Sequence, residues 1–292
     1  MTVHSGLRVG QRDNLIAVSC ELCGFIHLDP IPDNDRWYTK GYYHRLVKPD
    51  YRKEYDEDAE WWNAVYGDWI SFVEEHGGGG AFLDVGAGTG HFVDAVDLAG
   101  YQVNGIEPDE KMAAQNDRIW NRRYTDLDAD DEMRDWTWGV ISSHWVMEHL
   151  SDPVHFLNWA HGRLTDEGLL LVTIPNDFTP AQSQVMSLGN PLITPFYWLN
   201  AMHVNYWYLD SFRCLLENNG YEVLSVYGSW EPELYLLNGQ IYLNDHILGR
   251  KLHGERKLGD LAMTREARLG RYLELGNEGR GRDLTFLARK AN

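Results

Sequence analysis

The segment FLDVGAGTGHFVDAV, residues 82–96, places Asp84, Gly86, Gly88 and Gly90 at alternate positions directly after a short apolar run. A glycine-rich turn between a strand and a helix lets backbone N–H groups approach a nucleotide-bearing ligand, because no Cβ stands in the way. Several cofactors use such turns, and spacing separates them. A dinucleotide turn reads G-x-G-x-x-G, its third glycine permitting close packing of helix on strand. Here Gly86 and Gly88 fit, but His91 holds the third-glycine position and the extra glycine falls one residue early, at Gly90. The resulting D-x-G-x-G-x-G favours S-adenosylmethionine (SAM) over NAD. Further on, Glu107 in GIEPD stands where the next strand should end, placed to accept hydrogen bonds from both hydroxyls of a ribose. NAD sites use a carboxylate in the same way, so Glu107 indicates a ribose-bearing cofactor without choosing between the two.

The elements that must hold these residues alternate along the chain. Trp61, Trp62, Val65, Trp69, Ile70 and Val73 recur at three- and four-residue spacing, predicting a helix over 54–75 that GGGG (77–80) ends. AFLDV is a buried-type strand, and 91–99 is a helix closed by Gly100 at the C′ position. YQVNGIE (101–107) is a strand, Asp109 caps a helix to about Trp120, and RRYTDL is a weak strand. WGVISSH (138–144) is a strand, and SDP (151–153) offers a cap and a first-turn proline for a helix to about Arg163. GLLLVTIP (168–175), a helix capped by Asp210, a strand after Gly220 and DLTFLARK (283–290) complete the series. Strands separated by helices imply a mainly parallel, doubly wound sheet with ligands at the strands' carboxyl ends. Residues 178–208 and 229–281 fall outside the alternation and read as substrate-side additions or, for the second, a packing appendage.

The formal net charge is −18, from 44 acidic and 26 basic residues, which repels nucleic-acid phosphates and anionic membranes; no basic patch compensates. Three cysteines make no disulfide framework, and no stretch is apolar enough for a signal peptide or a membrane span. A cytoplasmic protein acting on small molecules is expected, its oligomeric state open.

At the level of motifs, LDVGAGTG resembles the first motif of class I SAM-dependent methyltransferases. GIEPD (105–109) resembles their acidic second-strand end, ISSHWVMEHLSDP the fourth-strand region and LLLVTIPND the fifth. The similarity extends to a bacterial subgroup with counterparts of CGFIHLDPIP and HVNYWYLDSFRCLLENNGYEVL, many of them acting on sugars or other small metabolites. It implies an α/β, Rossmann-like seven-stranded sheet with an N-terminal extension and C-terminal helical insertions. The expected division is an extension and lid helix (1–76), a SAM-binding core (77–228, with 178–208 inserted) and a C-terminal segment (229–292).

The resemblance also assigns roles. Gly86, Ala87, Gly88 and Gly90 cradle the cofactor, and Asp84 positions its amino group directly or through water. Glu107 and Pro108 meet the ribose, Asp126 accepts from the adenine amino group and Leu127 packs near the ring. The acidic run DLDADDEMRD could equally be a solvated loop, or Asp128 could take the adenine role. Ser143 and His144 end the fourth strand beside the sulfonium, unless His144 is merely a polar strand terminus. Tyr42 and Tyr43 close over the carboxylate or serve aromatic packing.

Methyl transfer is an in-line displacement, so the protein aligns donor and acceptor and removes a proton from a hydroxyl or acidic carbon. A histidine is the expected base. His203 in MHVNYW matches the position of a catalytic histidine in related sugar methyltransferases and is favoured. His149, with Glu148 beside it to orient a base or join a metal site, is the second candidate, and a capping role for EHL is the bland reading. His155 and His161 read as surface residues. The expected reaction is O- or C-methylation of a small polar acceptor, such as a sugar or nucleotide-linked sugar. Alternatives are a quinone-like or phenolic hydroxyl, a non-catalytic SAM-binding subunit, or an NAD-dependent sugar epimerase or reductase, whose Tyr-x-x-x-Lys pair is not found after the fourth strand. Related chains carry a four-cysteine zinc ribbon ahead of the core. Here Cys20 and Cys23 have no second cysteine pair; His4 or His27 could complete a site, and a metal-free segment is the expectation.

Overall fold

A computed structural model of the chain describes residues 4–32, 51–193, 199 and 202–291. Its strands in chain order are β1 (Gly6–Arg12), β2 (Leu15–Cys20), β3 (Ile26–Leu28), β4 (Phe82–Val85), β5 (Val103–Ile106), β6 (Ile119–Trp120), β7 (Trp138–His144), β8 (Leu164–Pro175), β9 (Asn205–Tyr206), β10 (Tyr221–Gly228) and β11 (Asp283–Lys290). The helices are α1 (Tyr51–Glu57), α2 (Ala59–Glu75), α3 (His91–Leu98), α4 (Glu110–Ala113), α5 (Pro153–Arg163), α6 (Pro180–Ser187), α7 (Leu209–Asn218), α8 (Glu233–Leu237), α9 (His246–Ala262) and α10 (Arg265–Asn277).

Seven strands form the expected sheet, in the order β10-β11-β8-β7-β4-β5-β6. The pairs β4–β5, β4–β7, β5–β6 and β7–β8 are parallel. From β4 the chain winds outward through β5 and β6, then returns to place β7 on the other side of β4. That reversal opens a crevice beyond the carboxyl ends of β4 and β7. β4 has all four of its residues buried, and β8 has a continuous buried run from Gly168 to Pro175, as strands covered on both faces require.

Contacts divide the chain into two units of non-contiguous segments. One holds residues 33–173, 216–225 and 286–292; the other holds 1–32, 174–215 and 226–285. In the first, the expected single helix over 54–75 is two, α1 and α2, and the C-terminal half of α2 is buried nearly all round, with Val65, Trp69, Ile70, Phe72 and Val73 among its apolar residues. Gly100, at φ 92°, closes α3 as its C′ residue. Asp109 caps α4 by accepting from the Lys111 and Met112 N–H groups, but the helix stops far short of Trp120. Asn116 accounts for this, since its side-chain oxygen accepts from Arg118 N–H at 3.0 Å and closes a competing local turn. The weak strand expected at RRYTDL is a 3₁₀ turn, Tyr124–Ala129, and strand pairing moves upstream to Ile119–Trp120.

In the second unit, β1, β2, β3 and β9 form an antiparallel sheet not expected from the sequence. Ala17, Leu28, Leu199 and Tyr206 form its buried cluster, with Leu15, Ile26 and Phe178 against it. The excursion 229–281 carries α8, α9 and α10, and Asp260 inside it is buried, accepting the Tyr272 hydroxyl at 2.7 Å. Among the described residues no helix is long and apolar enough to cross a membrane.

Candidate active site

A cavity of about 420 Å³ lies at the carboxyl ends of β4, β5 and β7, large enough for a cofactor-sized ligand. Its floor is the glycine turn. Gly86 N–H and Ala87 N–H both donate to the Ile106 carbonyl, at 2.9 and 3.1 Å, tying the turn to β5. Gly86 and Gly88, at φ 78° and 56°, occupy the left-handed region that Cβ-bearing residues avoid. A Cβ on Gly86 would strike the Val146 side chain. One strand over, a Cβ on Gly105 would lie 2.6 Å from the Cβ of Ala87. The protein's own atoms therefore demand these glycines, in addition to any ligand. Gly105→Val is expected to cost about 1–3 kcal/mol through overpacking and to displace the turn; urea unfolding and SAM titration of that variant would measure both.

Glu107 follows β5 and is 7% exposed, in the cavity wall. Its two oxygens accept from Gly88 N–H at 3.0 Å and Asp109 N–H at 2.9 Å. Each oxygen keeps a second lone pair, which is what two ribose hydroxyls require. Burial pushes its pKa up to about 7, against the pull of the two backbone donors. Asp84 sits one residue behind the wall, buried in β4, where the Ser142 hydroxyl donates to it at 2.7 Å. Burial raises this carboxyl also to about 7.

His144 ends β7 and lines the cavity. Its ring stacks on Trp69 at 4.6 Å with 15° between planes, while Phe92 meets it edge-on at 4.6 Å. Nδ1 is 2.8 Å from the Thr173 hydroxyl oxygen, and Nε2 is buried without a protein hydrogen-bond partner. Desolvation pushes its pKa down to about 3, so the ring is neutral and a poor proton acceptor at neutral pH. The next residue, Trp145, takes φ 55°, an uncommon conformation for a bulky side chain, and also lines the cavity.

The far wall differs from expectation. Arg122, Arg123, Tyr124 and Thr125 form it, whereas Asp126 is exposed and its carboxylate accepts from Arg123 N–H at 2.8 Å, capping the 3₁₀ turn. Leu127 is fully buried behind that turn, outside the wall. Asp128, the alternative, accepts from Trp159 Nε1 at 3.1 Å and pairs with Arg163, fastening the turn to α5. Tyr124 is instead the aromatic group at this wall, its hydroxyl 3.0 Å from His155 Nδ1. Tyr124 is not singled out by the sequence, because nothing in RRYTDL distinguishes a strand from a capped turn.

A profile of the methyltransferase-domain family matches residues 55–226 of this chain. The chain belongs to that family. No curated protein matches the sequence of this methyltransferase significantly. Among solved structures it is similar to the plantazolicin methyltransferase BamL in complex with a triazolic desmethylPZN analogue and SAH, at 12% identity, 89% of this chain and 96% of that one, with a TM-score of 0.53. It is likewise similar to magnesium protoporphyrin IX methyltransferase (ChlM) from Synechocystis PCC 6803 with bound SAH, at 11% identity, 88% and 98% coverage, and a TM-score of 0.52. Identities this low speak for the fold alone.

SAM is the cofactor of this methyltransferase, and the cavity fits it: a glycine floor without Cβ atoms that admits a ligand close to the backbone, a buried carboxylate with lone pairs to spare, and an unpartnered buried imidazole nitrogen. Of the residues expected to bind it, Gly86, Gly88, Glu107, Pro108 and His144 line the cavity. Ala87 and Gly90 shape the turn from outside the wall; Gly90, at φ 90°, is the N-cap of α3. Tyr42 and Tyr43 lie outside the described residues.

Of the candidate bases in the same unit, His149 is in the cavity wall and Glu148 is buried beside it, with Glu148 Oε1 3.6 Å from His149 Nε2. Both belong to a short 3₁₀ turn, Met147–His149, that follows β7. His155, expected on the surface, is exposed at the cavity's edge, where Asp152 caps its helix by accepting from His155 N–H at 2.9 Å. His203 belongs to the other unit, in the turn before β9, where its carbonyl accepts the Tyr206 hydroxyl at 2.9 Å.

Proposed function

We propose that this methyltransferase moves a methyl group from SAM to oxygen or carbon of a small polar acceptor, a sugar or nucleotide-linked sugar, with His149 as the base. The observation that supports the base is the His149–Glu148 pair in the wall of the donor cavity. SAM supplies an electrophilic methyl group on positive sulfur. The protein's part is alignment and proton removal. The glycine turn and Glu107 fix the donor's orientation, and the neutral ring stack of His144, Trp69 and Phe92 keeps water from the reacting end. His149 takes the acceptor's proton, and the Glu148 carboxylate stabilises the imidazolium that forms.

Replacement of His149 by Ala is expected to lower kcat by about 10²- to 10⁴-fold with SAM affinity nearly unchanged. His203→Ala, run beside it, decides between the two candidate bases: loss of turnover in that variant alone would overturn the assignment. Labelled SAM offered with a panel of nucleotide sugars, free sugars and phenols tests the acceptor class. Transfer confined to phenols would replace sugars by a phenolic or quinone-like acceptor. SAM binding without turnover on any member would favour a non-catalytic subunit.

A further inference from the structure

We propose that His4, Cys20, Cys23 and His27 form a closed structural zinc site in the N-terminal sheet. Their donor atoms all lie within 4.8 Å of one another. His4 Nδ1 is 3.6 Å from Cys20 Sγ and 3.3 Å from Cys23 Sγ. In a tetrahedron with Zn–S of about 2.3 Å and Zn–N of about 2.0–2.1 Å, an N···S edge is about 3.5 Å. The two separations from His4 Nδ1 already match edges of such a polyhedron.

The backbone is arranged as such a site needs. Cys20 ends β2, Cys23 stands in the following turn, and His27 is central in β3. Gly24, at φ 75°, follows the second cysteine, and its N–H donates to the Cys20 carbonyl at 3.0 Å while Cys20 N–H donates to Phe25 O at 3.1 Å. Glu21 N–H donates to Ser5 O at 2.9 Å, holding the segment with His4 against the turn. Cys20 and Cys23 are thiols rather than a disulfide.

His27 provides the independent observation. It is 0% exposed, and its Nδ1 lies 2.8 Å from the Leu28 carbonyl oxygen. A carbonyl only accepts, so the proton sits on Nδ1 and the lone pair on Nε2. That nitrogen is buried with no protein partner. A metal-bound histidine has this same pattern, one nitrogen donating to a backbone carbonyl and the other presented to the ion. Thiol hydrogen bonds to His4 explain less, because one imidazole lone pair accepts from one S–H and leaves His27 Nε2 unaccounted for.

Binding breaks two S–H bonds, sends two protons to solvent, and leaves two thiolates that neutralise the ion's charge. With four protein ligands no position stays open for substrate, so the role is structural. The sheet it would pin consists of strands of seven, six, three and two residues, a size that gains much from a cross-link. This departs from the metal-free segment expected from the sequence, where His4 and His27 stood only as alternatives to complete a site and nothing showed both folding onto the cysteine pair.

The test uses the full chain purified without chelator, its folding verified by circular dichroism. Elemental analysis should find a single zinc equivalent, lost in Cys23→Ser and in His27→Asn. Cobalt exchanged into wild type should show tetrahedral d–d absorption with thiolate charge transfer. Dipicolinate should lower the melting temperature of wild type and leave that of Cys23→Ser unchanged. Wild type refolded with excess zinc chloride that retains no metal would overturn the proposal. So would stoichiometric zinc in folded Cys23→Ser, or a Cys20–Cys23 disulfide in protein kept under reductant.

Discussion

Replacement of Glu107 by Ala is expected to weaken SAM and SAH binding by about 1–3 kcal/mol, roughly 5- to 150-fold, through loss of charge-assisted hydrogen bonds to the ribose. Part of that loss comes through the turn itself, since Gly88 N–H and Asp109 N–H both donate to this carboxylate. The conservative Glu107→Gln separates the contributions, because its amide oxygen can keep one of those acceptor roles. A pH signature distinguishes a binding role from a merely structural one. Burial raises the Glu107 pKa to about 7 in the protein alone. Ribose hydroxyls donate to the ionised form, so binding favours deprotonation and should tighten as pH rises from about 6 to about 8. Isothermal titration in buffers of different ionisation enthalpy would show the released protons. A Glu107→Gln variant that keeps the wild-type pH dependence would assign that dependence elsewhere.

Asp84→Asn should stabilise the protein at alkaline pH and have little effect in acid. The pKa of this buried carboxyl rises from 3.8 to about 7 on folding, with desolvation outweighing the Ser142 hydrogen bond. Between those values the folded chain holds a proton that the unfolded chain has released. Stability is therefore fully present below about pH 4, falls as pH rises, and carries the whole penalty above about pH 7. A shift of about three units corresponds to at most about 4 kcal/mol. The asparagine has no charge to desolvate, can still accept from Ser142, and removes a repulsion that also raises the Glu107 pKa. Urea unfolding at about pH 5 and about pH 8 checks this. An Asn-minus-Asp difference that is the same at both pH values would contradict it.

These residues were legible because their positions follow from strand ends. Asp84, Glu107 and His144 each lie at or beside the carboxyl end of a strand whose apolar run is plain in the sequence. The glycines between β4 and α3 stand where the chain turns sharply at positive φ, a conformation that side chains with a Cβ avoid. The wall formed by Arg122, Arg123, Tyr124 and Thr125 was not legible, because Asp126 spends its carboxylate on a backbone N–H three residues back, which leaves Tyr124 to face the cavity. A carboxylate in an acidic run looks the same whether it binds a ligand or caps a turn. The N-terminal sheet was missed for a different reason: Leu7 and Val9 are exposed at 75% and 37%, so β1 buries no clear apolar face for alternation to report. The Asp13–Asn14 pair, where the chain turns with Asp13 at φ 50°, was the available signal. His149 and Glu148 were named from a motif, and their placement in the wall depends on the short turn after β7, which periodicity does not register.

The strand order also sets a schedule for synthesis. β11, residues 283–290, lies between β10 and β8, so an interior place in the sheet waits for a segment translated about 110 residues after β8. Until it leaves the ribosome, β8 and β10 present unpaired edges, and β8 is among the most apolar strands of the chain. At ordinary elongation rates of about 5–20 residues per second, that exposure lasts roughly 5–20 seconds per nascent chain. The donor cavity is assembled from residues 85–155, all emerged before that interval begins. The residues that line the cavity thus precede in synthesis the strand that completes the interior of the sheet.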